Sequence, residues 1–263
     1  MTLHYDISNV APYINWVYFY FAWQVKEEDE QRRLRCEAEQ MLQALEGRYR
    51  THALLRLCDA HSDGDDIVLD DGTAIPCLRQ QTGSTCLCLA DFIDPKGRAA
   101  VGSRIGLFAA SVDRGMEVDF DDDPYQKMMA QLLADRLAEA TAERLHQLVR
   151  TELWGYAPDE QLTIADLHQE HFQGIRPAVG YPSLPDASLN FLLDRLLGFG
   201  EIGITLTESG AMRPHASVSG LMMDHPDARY FSIGHIGDDQ LHDYARRRGM
   251  AVGEMRRFLS ANL

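Results

Sequence analysis

The chain has 263 residues, of which 45% are hydrophobic, so it can fill one substantial core. Its formal net charge of -15 argues against nucleic acid and anionic membranes as partners, because an acidic surface repels both. The five cysteines show neither a CxxC pair nor a secreted framework, which is typical of reduced thiols. No signal peptide or bilayer-length apolar segment is visible in the first residues. We expect a cytoplasmic protein that binds neither nucleic acid nor membrane.

The first part of the chain combines an aromatic segment, a charged helix and paired strands. Residues 11–24 carry so many large rings that we expect them to be largely buried. Residues 26–45 have apolar side chains at three-and-four spacing, which predicts an amphipathic helix with a solvated face. A second helix is predicted at residues 48–60, followed by two short strands around an Asp-Gly turn at residues 64–73. Further strands are expected at residues 86–93 and 104–112.

The clearest helix prediction covers residues 124–154. Acidic residues precede Pro124, which is typical of a helix start, and an apolar stripe follows it along the whole stretch. Asp135, Glu139 and Glu143 recur on this helix at four-residue spacing, and most such acids are solvated.

The last part of the chain mixes short helices and strands. A helix is predicted at residues 186–197, ending at Gly198. Strands are expected at residues 202–208, 216–223 and 230–236, and helices at residues 238–248 and 253–259. Because the order is not a strict βαβ alternation, we predict α+β topology with a mainly antiparallel twisted sheet flanked by helices. Residues 1–263 show no linker or repeat, so we expect a single domain.

One loop, residues 173–182, contains two glycines, two prolines, an arginine and a tyrosine. The glycines can adopt positive φ without steric cost, and each proline fixes its own φ. Arg176 is therefore a permanently charged fork on a stiff backbone, which suits it to hold a carboxylate or a phosphate. The alternative is a plain connector in which Arg176 bridges to a local acid.

Three other motifs do not fit their usual chemistry. The GxGxxG pattern at residues 198–203 follows a predicted helix and enters a strand, the reverse of the order in a dinucleotide site, so we interpret it as a turn. The serines of residues 216–220 lack the upstream glycine of a nucleophile elbow. His168 and His171 have no obvious third ligand. We predict no metal site and no catalytic residue.

Several segments, in one order along the chain, resemble the activation domain of cobalamin-dependent methionine synthase. The main one is Gly-Ile-Arg-Pro-Ala-Val-Gly-Tyr-Pro at residues 174–182. Others are residues 78–81, 88–92, 134–140, 154–158, 206–212, 216–220, 230–231 and 243–250. The resemblance implies a C-shaped α+β domain that binds S-adenosylmethionine and presents its methyl group to cobalamin held by a neighbouring domain. In that family a flavodoxin-like donor supplies one electron.

The resemblance also implies which residues bind the ligand. They are Asn15, Glu139, Glu170, Arg176, Ala178, Gly180, Tyr181, Tyr230 and Phe231. Arg176 would bind the carboxylate of the methionine moiety, in agreement with its fork chemistry. Tyr181 and the backbone near Ala178 and Gly180 would line the reacting face. Asn15 stands where the family has an aspartate that pairs with the amino group of the ligand, so a charge-assisted hydrogen bond is lost.

Two functions are compatible with this resemblance. The first is a stand-alone reactivation component of methionine synthase. Its partner would be the cobalamin-binding domain of a methionine synthase or a related corrinoid protein, and its own contribution would be positioning. The alternative is a non-catalytic binding or interaction module that kept the fold with a weakened S-adenosylmethionine site. Asn15 motivates this alternative, as does Ala187, which replaces a histidine of the family pattern.

Overall fold

A computed structural model describes residues 1–96, 103–120 and 122–263. The helices of these residues are α1 (Ile7–Val10), α2 (Trp16–Ala22), α3 (Glu28–Leu45), α4 (Gly115–Val118), α5 (Pro124–Leu148), α6 (Ile164–His168), α7 (Leu189–Leu197), α8 (Asp238–Arg248) and α9 (Val252–Phe258). The strands are β1 (Thr2–Asp6), β2 (Arg50–Asp63), β3 (Asp66–Leu69), β4 (Ala74–Pro76), β5 (Ser103–Val112), β6 (Thr205–Leu206), β7 (Met212–Arg213) and β8 (Ser217–Met222). Across these residues, no helix is both long and apolar enough to cross a membrane.

The main sheet is antiparallel and is built around the long strands β2 and β5. Its strand order is β4-β3-β2-β5-β8, and β1 pairs with the first half of β2. In the central strand pair, Leu55 of β2 lies opposite Phe108 of β5. In the neighbouring pair, Ala109 of β5 lies opposite Ser219 of β8. The sheet curls into a half-barrel flanked by helices. The predicted α+β class with a mainly antiparallel sheet is confirmed.

Helix α5 covers one face of this sheet. Asp123 caps it by accepting hydrogen bonds from the N–H groups of Tyr125 and Gln126, and Pro124 is its first residue. Asp121, another acid of the same run, lies outside the described residues. Leu133, Leu137 and other apolar residues of α5 pack in the same core as Phe108 of β5. The helix ends in a π-helical turn at Val149–Leu153, so the predicted end near residue 154 is confirmed.

The predicted helix at residues 48–60 is wrong, because this stretch is strand β2. Ala53 and Leu55 face the core beneath α5, whereas Leu54 and Cys58 face a second core on the opposite side of the sheet. A strand covered on both faces has a nearly continuous apolar run, and periodicity cannot distinguish such a run from a buried helix.

Two predicted strands are also absent from the described structure. Residues 89–92 form a 3₁₀ turn, and residues 230–236 form an extended loop without strand pairing. In that loop Phe231 N–H donates to Ser183 Oγ at 3.1 Å, and Ile233 N–H donates to Pro182 O at 2.9 Å. These backbone groups are satisfied by neighbouring loops, so a strand partner is not needed.

The other predicted elements are confirmed with small changes at their ends. They are α3, α7, α8, α9, β5, β8 and the β3-β4 hairpin. The GxGxxG pattern forms a 3₁₀ turn at Phe199–Ile202 between α7 and β6, as expected. The strand predicted at residues 202–208 is reduced to the short β6.

The aromatic segment is less buried than expected. Phe19 of α2 is in the core, but Val17, Tyr18 and Phe21 are exposed, and Phe21 retains 80% of its accessible surface. Helix α2 has only seven residues and packs on α5 through one side, so its other side carries large rings at the surface.

Candidate functional site

A cleft of about 770 Å³ opens where α2, α5 and the loop of residues 173–182 meet. That volume lies within the usual range for a small-molecule site. The cleft is lined by Tyr13, Asn15, Tyr18, Phe21, Ala22, Arg136, Glu139, Ala140, Glu143, Leu167, His168, Glu170, Arg176, Pro177, Ala178, Tyr181, Pro182, Ser183, Val218, Tyr230 and Phe231. The structure therefore brings together every predicted position except Gly180, which is absent from this lining.

The loop is joined to β8 by backbone hydrogen bonds. Ile175 exchanges two such bonds with Met223, at 2.9 and 3.0 Å, and Leu221 N–H donates to Pro177 O at 3.0 Å. Gly174 has a φ of +84°, and a Cβ built on it would lie 2.1 Å from Met223 O. The backbone of the loop therefore packs directly against the backbone of the sheet. Glycine is required here because φ is positive and because a Cβ would collide with Met223 O.

Arg176 forms an ion pair with Glu143 of α5 in the wall of this cleft. Its Nη2 lies 3.0 Å from Glu143 Oε2, and the two side chains are 12% and 11% exposed. Burial lowers the pKa of the Arg176 guanidinium, but the charge of Glu143 and its neighbours outweighs burial and raises that pKa above its usual value. The bridge to a local acid considered from the sequence is present, and it lies inside the cleft.

Tyr181 and Tyr230 place phenol groups on two sides of the cleft. Tyr181 Oη donates to Glu139 Oε1 at 2.8 Å, and burial together with this carboxylate raises the pKa of Tyr181. Tyr230 Oη accepts a hydrogen bond from the backbone N–H of Arg176 at 2.9 Å, and burial raises the pKa of Tyr230. Both phenols therefore stay neutral at physiological pH and act through hydrogen bonds.

Asn15 and Glu170 reach the cleft from the ends of short helices. Asn15 is the N-cap of α2, and its Oδ1 accepts from Val17 N–H at 3.2 Å. Glu170 follows α6 with a φ of +58°, a left-handed conformation that is uncommon for a residue other than glycine. Burial raises the pKa of the Glu170 carboxyl against the opposing charge of Arg176.

The two histidines next to Glu170 have separate partners. His168 donates from Nε2 to Tyr13 O at 3.0 Å, whereas His171 Nδ1 lies 3.4 Å from Asp166 Oδ1. Within residues 1–96, 103–120 and 122–263, no group of three or more His, Cys, Asp or Glu side chains could hold a metal ion.

Glu143 is a cleft residue that the sequence does not predict. The sequence pattern predicts a solvated acid at this position, but Glu143 is buried and pairs with Arg176. Its spacing of four residues from Glu139 was the available signal, since two such residues share one face of a helix. The cleft lining also includes residues that no sequence pattern predicts, among them Tyr13, Tyr18, Phe21, Arg136 and His168.

A buried ion pair lies next to the segment that leads into the loop of residues 173–182. Arg150, in the π turn after α5, donates to both carboxylate oxygens of Glu160 at 2.8 and 2.7 Å. Its guanidinium also covers the ring of Phe172 at 4.3 Å. Burial and the two nearby arginines lower the pKa of His146 well below its usual value, so this imidazole stays neutral. These contacts hold the segment that leads into the loop.

Comparison with known proteins agrees with this architecture. The family model described as "Vitamin B12 dependent methionine synthase, activation domain" matches residues 6–249. A crystal structure described as that of the "MetH Reactivation Domain bound to AdoHcy" shares 37% sequence identity with a TM-score of 0.93. The match covers 100% of this chain and 90% of that chain. The chain therefore belongs to the family of activation domains of vitamin B12-dependent methionine synthases.

Proposed function

We propose that this chain binds S-adenosylmethionine in the cleft and presents its methyl group to a cobalamin held by a cobalamin-binding domain, as a reactivation component of methionine synthase. The observation that carries this proposal is the Arg176 fork, held on a rigid loop in the wall of a cleft of about 770 Å³. Further support comes from the relative described with bound AdoHcy, the demethylated form of this ligand.

The residues of the cleft would each bind a different part of the ligand. Arg176 would hold the carboxylate of the methionine moiety. Glu139 and Glu170 would supply negative charge near the sulfonium and ammonium groups of the ligand. Tyr181 and the backbone of Ala178 and Gly180 would border the methyl group. Phe231 would lie with Tyr230 against the rest of the ligand.

The chain would contribute positioning rather than a nucleophile. A reduced cobalamin on the partner would supply the electron pair that accepts the methyl group, and the sulfonium would leave as a thioether. Holding the carboxylate and the sulfonium at fixed points orients the methyl group for in-line attack, which can supply a large part of a rate enhancement. Because the pKa of Tyr181 is raised, its phenol oxygen stays protonated and is not itself an anionic nucleophile.

The partner would be the cobalamin-binding domain of a methionine synthase or a related corrinoid protein, with a flavodoxin-like electron donor. The mouth of the cleft carries the exposed rings of Tyr18 and Phe21, which a partner could cover.

Two measurements test the proposal. Titration calorimetry should show one site for S-adenosylmethionine and one for S-adenosylhomocysteine, each competing with the other. The chain is then mixed with a separate cobalamin-binding protein, a reductant and S-adenosylmethionine labelled in its methyl group. We expect label on the cobalamin only when the chain is present. Absence of both binding and transfer would contradict the proposal.

The second candidate function is a binding module with a weakened site, and Asn15 is the observation that favours it. The Oδ1 atom of Asn15 is engaged in capping α2, so its side chain offers the ligand's ammonium no charge and only a shared acceptor. Aspartate is an equally good N-cap, so Asn15→Asp preserves α2 while adding a carboxylate.

Asn15→Asp is expected to tighten S-adenosylmethionine binding about tenfold, because a charged acceptor roughly doubles the strength of a hydrogen bond. Calorimetry on both proteins measures the change, and equal melting temperatures show that the cap is intact. Tight binding by the wild type, with no gain in the variant, would argue against the weakened module.

A further inference from the structure

The position of the Arg176 side chain depends on Glu143. Backbone pairing with β8 holds the main chain on both sides of Arg176, through Ile175 and Ala178. Among the residues that the structure describes, Glu143 is the ionic partner of the guanidinium, at 3.0 Å. Because both side chains are nearly buried, this contact is poorly screened by solvent.

The ion pair between Arg176 and Glu143 uses only some of the hydrogen-bonding atoms of each side chain. Arg176 Nε and Glu143 Oε1 are both buried and make no hydrogen bond within the described part of the chain. A guanidinium has five donors and can hold two carboxylates when the geometry allows, so Arg176 retains capacity for a second anion. A second carboxylate at Arg176 would, however, share the guanidinium with Glu143 and be repelled by it.

We propose that Glu143 is an internal counter-ion that positions Arg176 and competes with the carboxylate of the ligand for its guanidinium. This inference rests on the proposed function, because it assumes that the ligand carries an amino-acid carboxylate. In the free protein, Glu143 compensates the buried positive charge of Arg176. Because that charge is already compensated, Arg176 attracts the carboxylate of the ligand less strongly. Glu143 thus restrains the affinity of the cleft for the methyl donor and for the thioether product alike.

The test compares ligands with and without the carboxylate on Glu143→Gln. The amide keeps the size of the side chain and an acceptor for Nη2, but it removes the competing charge. We expect affinity for S-adenosylmethionine and S-adenosylhomocysteine to rise about tenfold, because one repulsive charge is lost at close range. Affinity for 5′-methylthioadenosine, which lacks the amino-acid group, should change by less than about twofold. A purely structural role would weaken all three ligands together.

The readout is the affinity for S-adenosylmethionine divided by the affinity for 5′-methylthioadenosine. Glu30→Gln is the control for a change in net charge. It removes the same unit of charge from an exposed position on α3, and it should leave this affinity ratio unchanged. If Glu143→Gln does not fold, Glu143→Asp retracts the carboxylate by one methylene, and we expect a smaller rise in the same ratio. If S-adenosylmethionine binds but the affinity ratio is unchanged or lower in Glu143→Gln, the inference is wrong and the proposed function is unaffected. Failure of the wild type to bind either adenosyl amino acid overturns the proposed function, and the inference with it.

Discussion

Arg176→Gln is expected to weaken S-adenosylmethionine binding by about 30-fold or more, because truncating one partner of a buried charge pair typically costs about 2–5 kcal/mol. The variant loses the cation for the ligand carboxylate and also leaves Glu143 buried without its ionic partner. Calorimetric titration measures the affinity, and thermal unfolding measures the accompanying loss of stability.

A double variant distinguishes binding from stability. Glu143→Gln combined with Arg176→Gln removes both charges, so we expect most of the lost stability to return while ligand binding stays weak. Arg176→Lys keeps the charge but not the planar fork, and should bind with intermediate affinity. If Arg176→Gln binds as tightly as the wild type, Arg176 does not hold the ligand carboxylate.

Gly220→Ala is expected to destabilise the protein by about 3 kcal/mol or more and to weaken ligand binding at the same time. A Cβ on Gly220 would lie 2.2 Å from Pro177 O, 2.8 Å from Ala178 Cα and 2.9 Å from Phe108 Cε1. Two of these contacts are with the backbone of the loop, which cannot rotate away as a flexible side chain could. To accommodate the methyl group, the loop must move off β8 and carry Arg176 with it.

Gly200→Ala is the matched control for this prediction. Gly200 is not among the glycines with positive φ, and a Cβ built on it meets no atom within 4 Å. We expect its stability to stay within about 0.5 kcal/mol of the wild type. Denaturant unfolding of both variants, with S-adenosylmethionine titrations of the folded proteins, measures the two effects. Equal stability of the two variants would show that close approach at Gly220 does not hold the loop.

Sequence patterns identified most helices and the loop because these features depend on local chemistry. The apolar stripe of α5, its Pro124 start and the glycines and prolines of residues 173–182 act within a few residues of the chain. The sequence of strand β2 predicts a helix because its apolar pattern reflects burial on both faces, and that burial depends on what packs against the strand. The exposure of α2 is not predictable for the same reason, since aromatic composition does not say which rings pack against a neighbour.

The charge of Arg176 and the stiffness of its loop were determined by the sequence alone, since a guanidinium is always protonated and proline and glycine restrict or free φ wherever they occur. Only the tertiary structure decided that Glu143 would be its partner. The two residues meet because α5 covers the sheet while the loop pairs with β8 of that sheet. Contacts between such distant segments depend on packing, which no short stretch of sequence encodes.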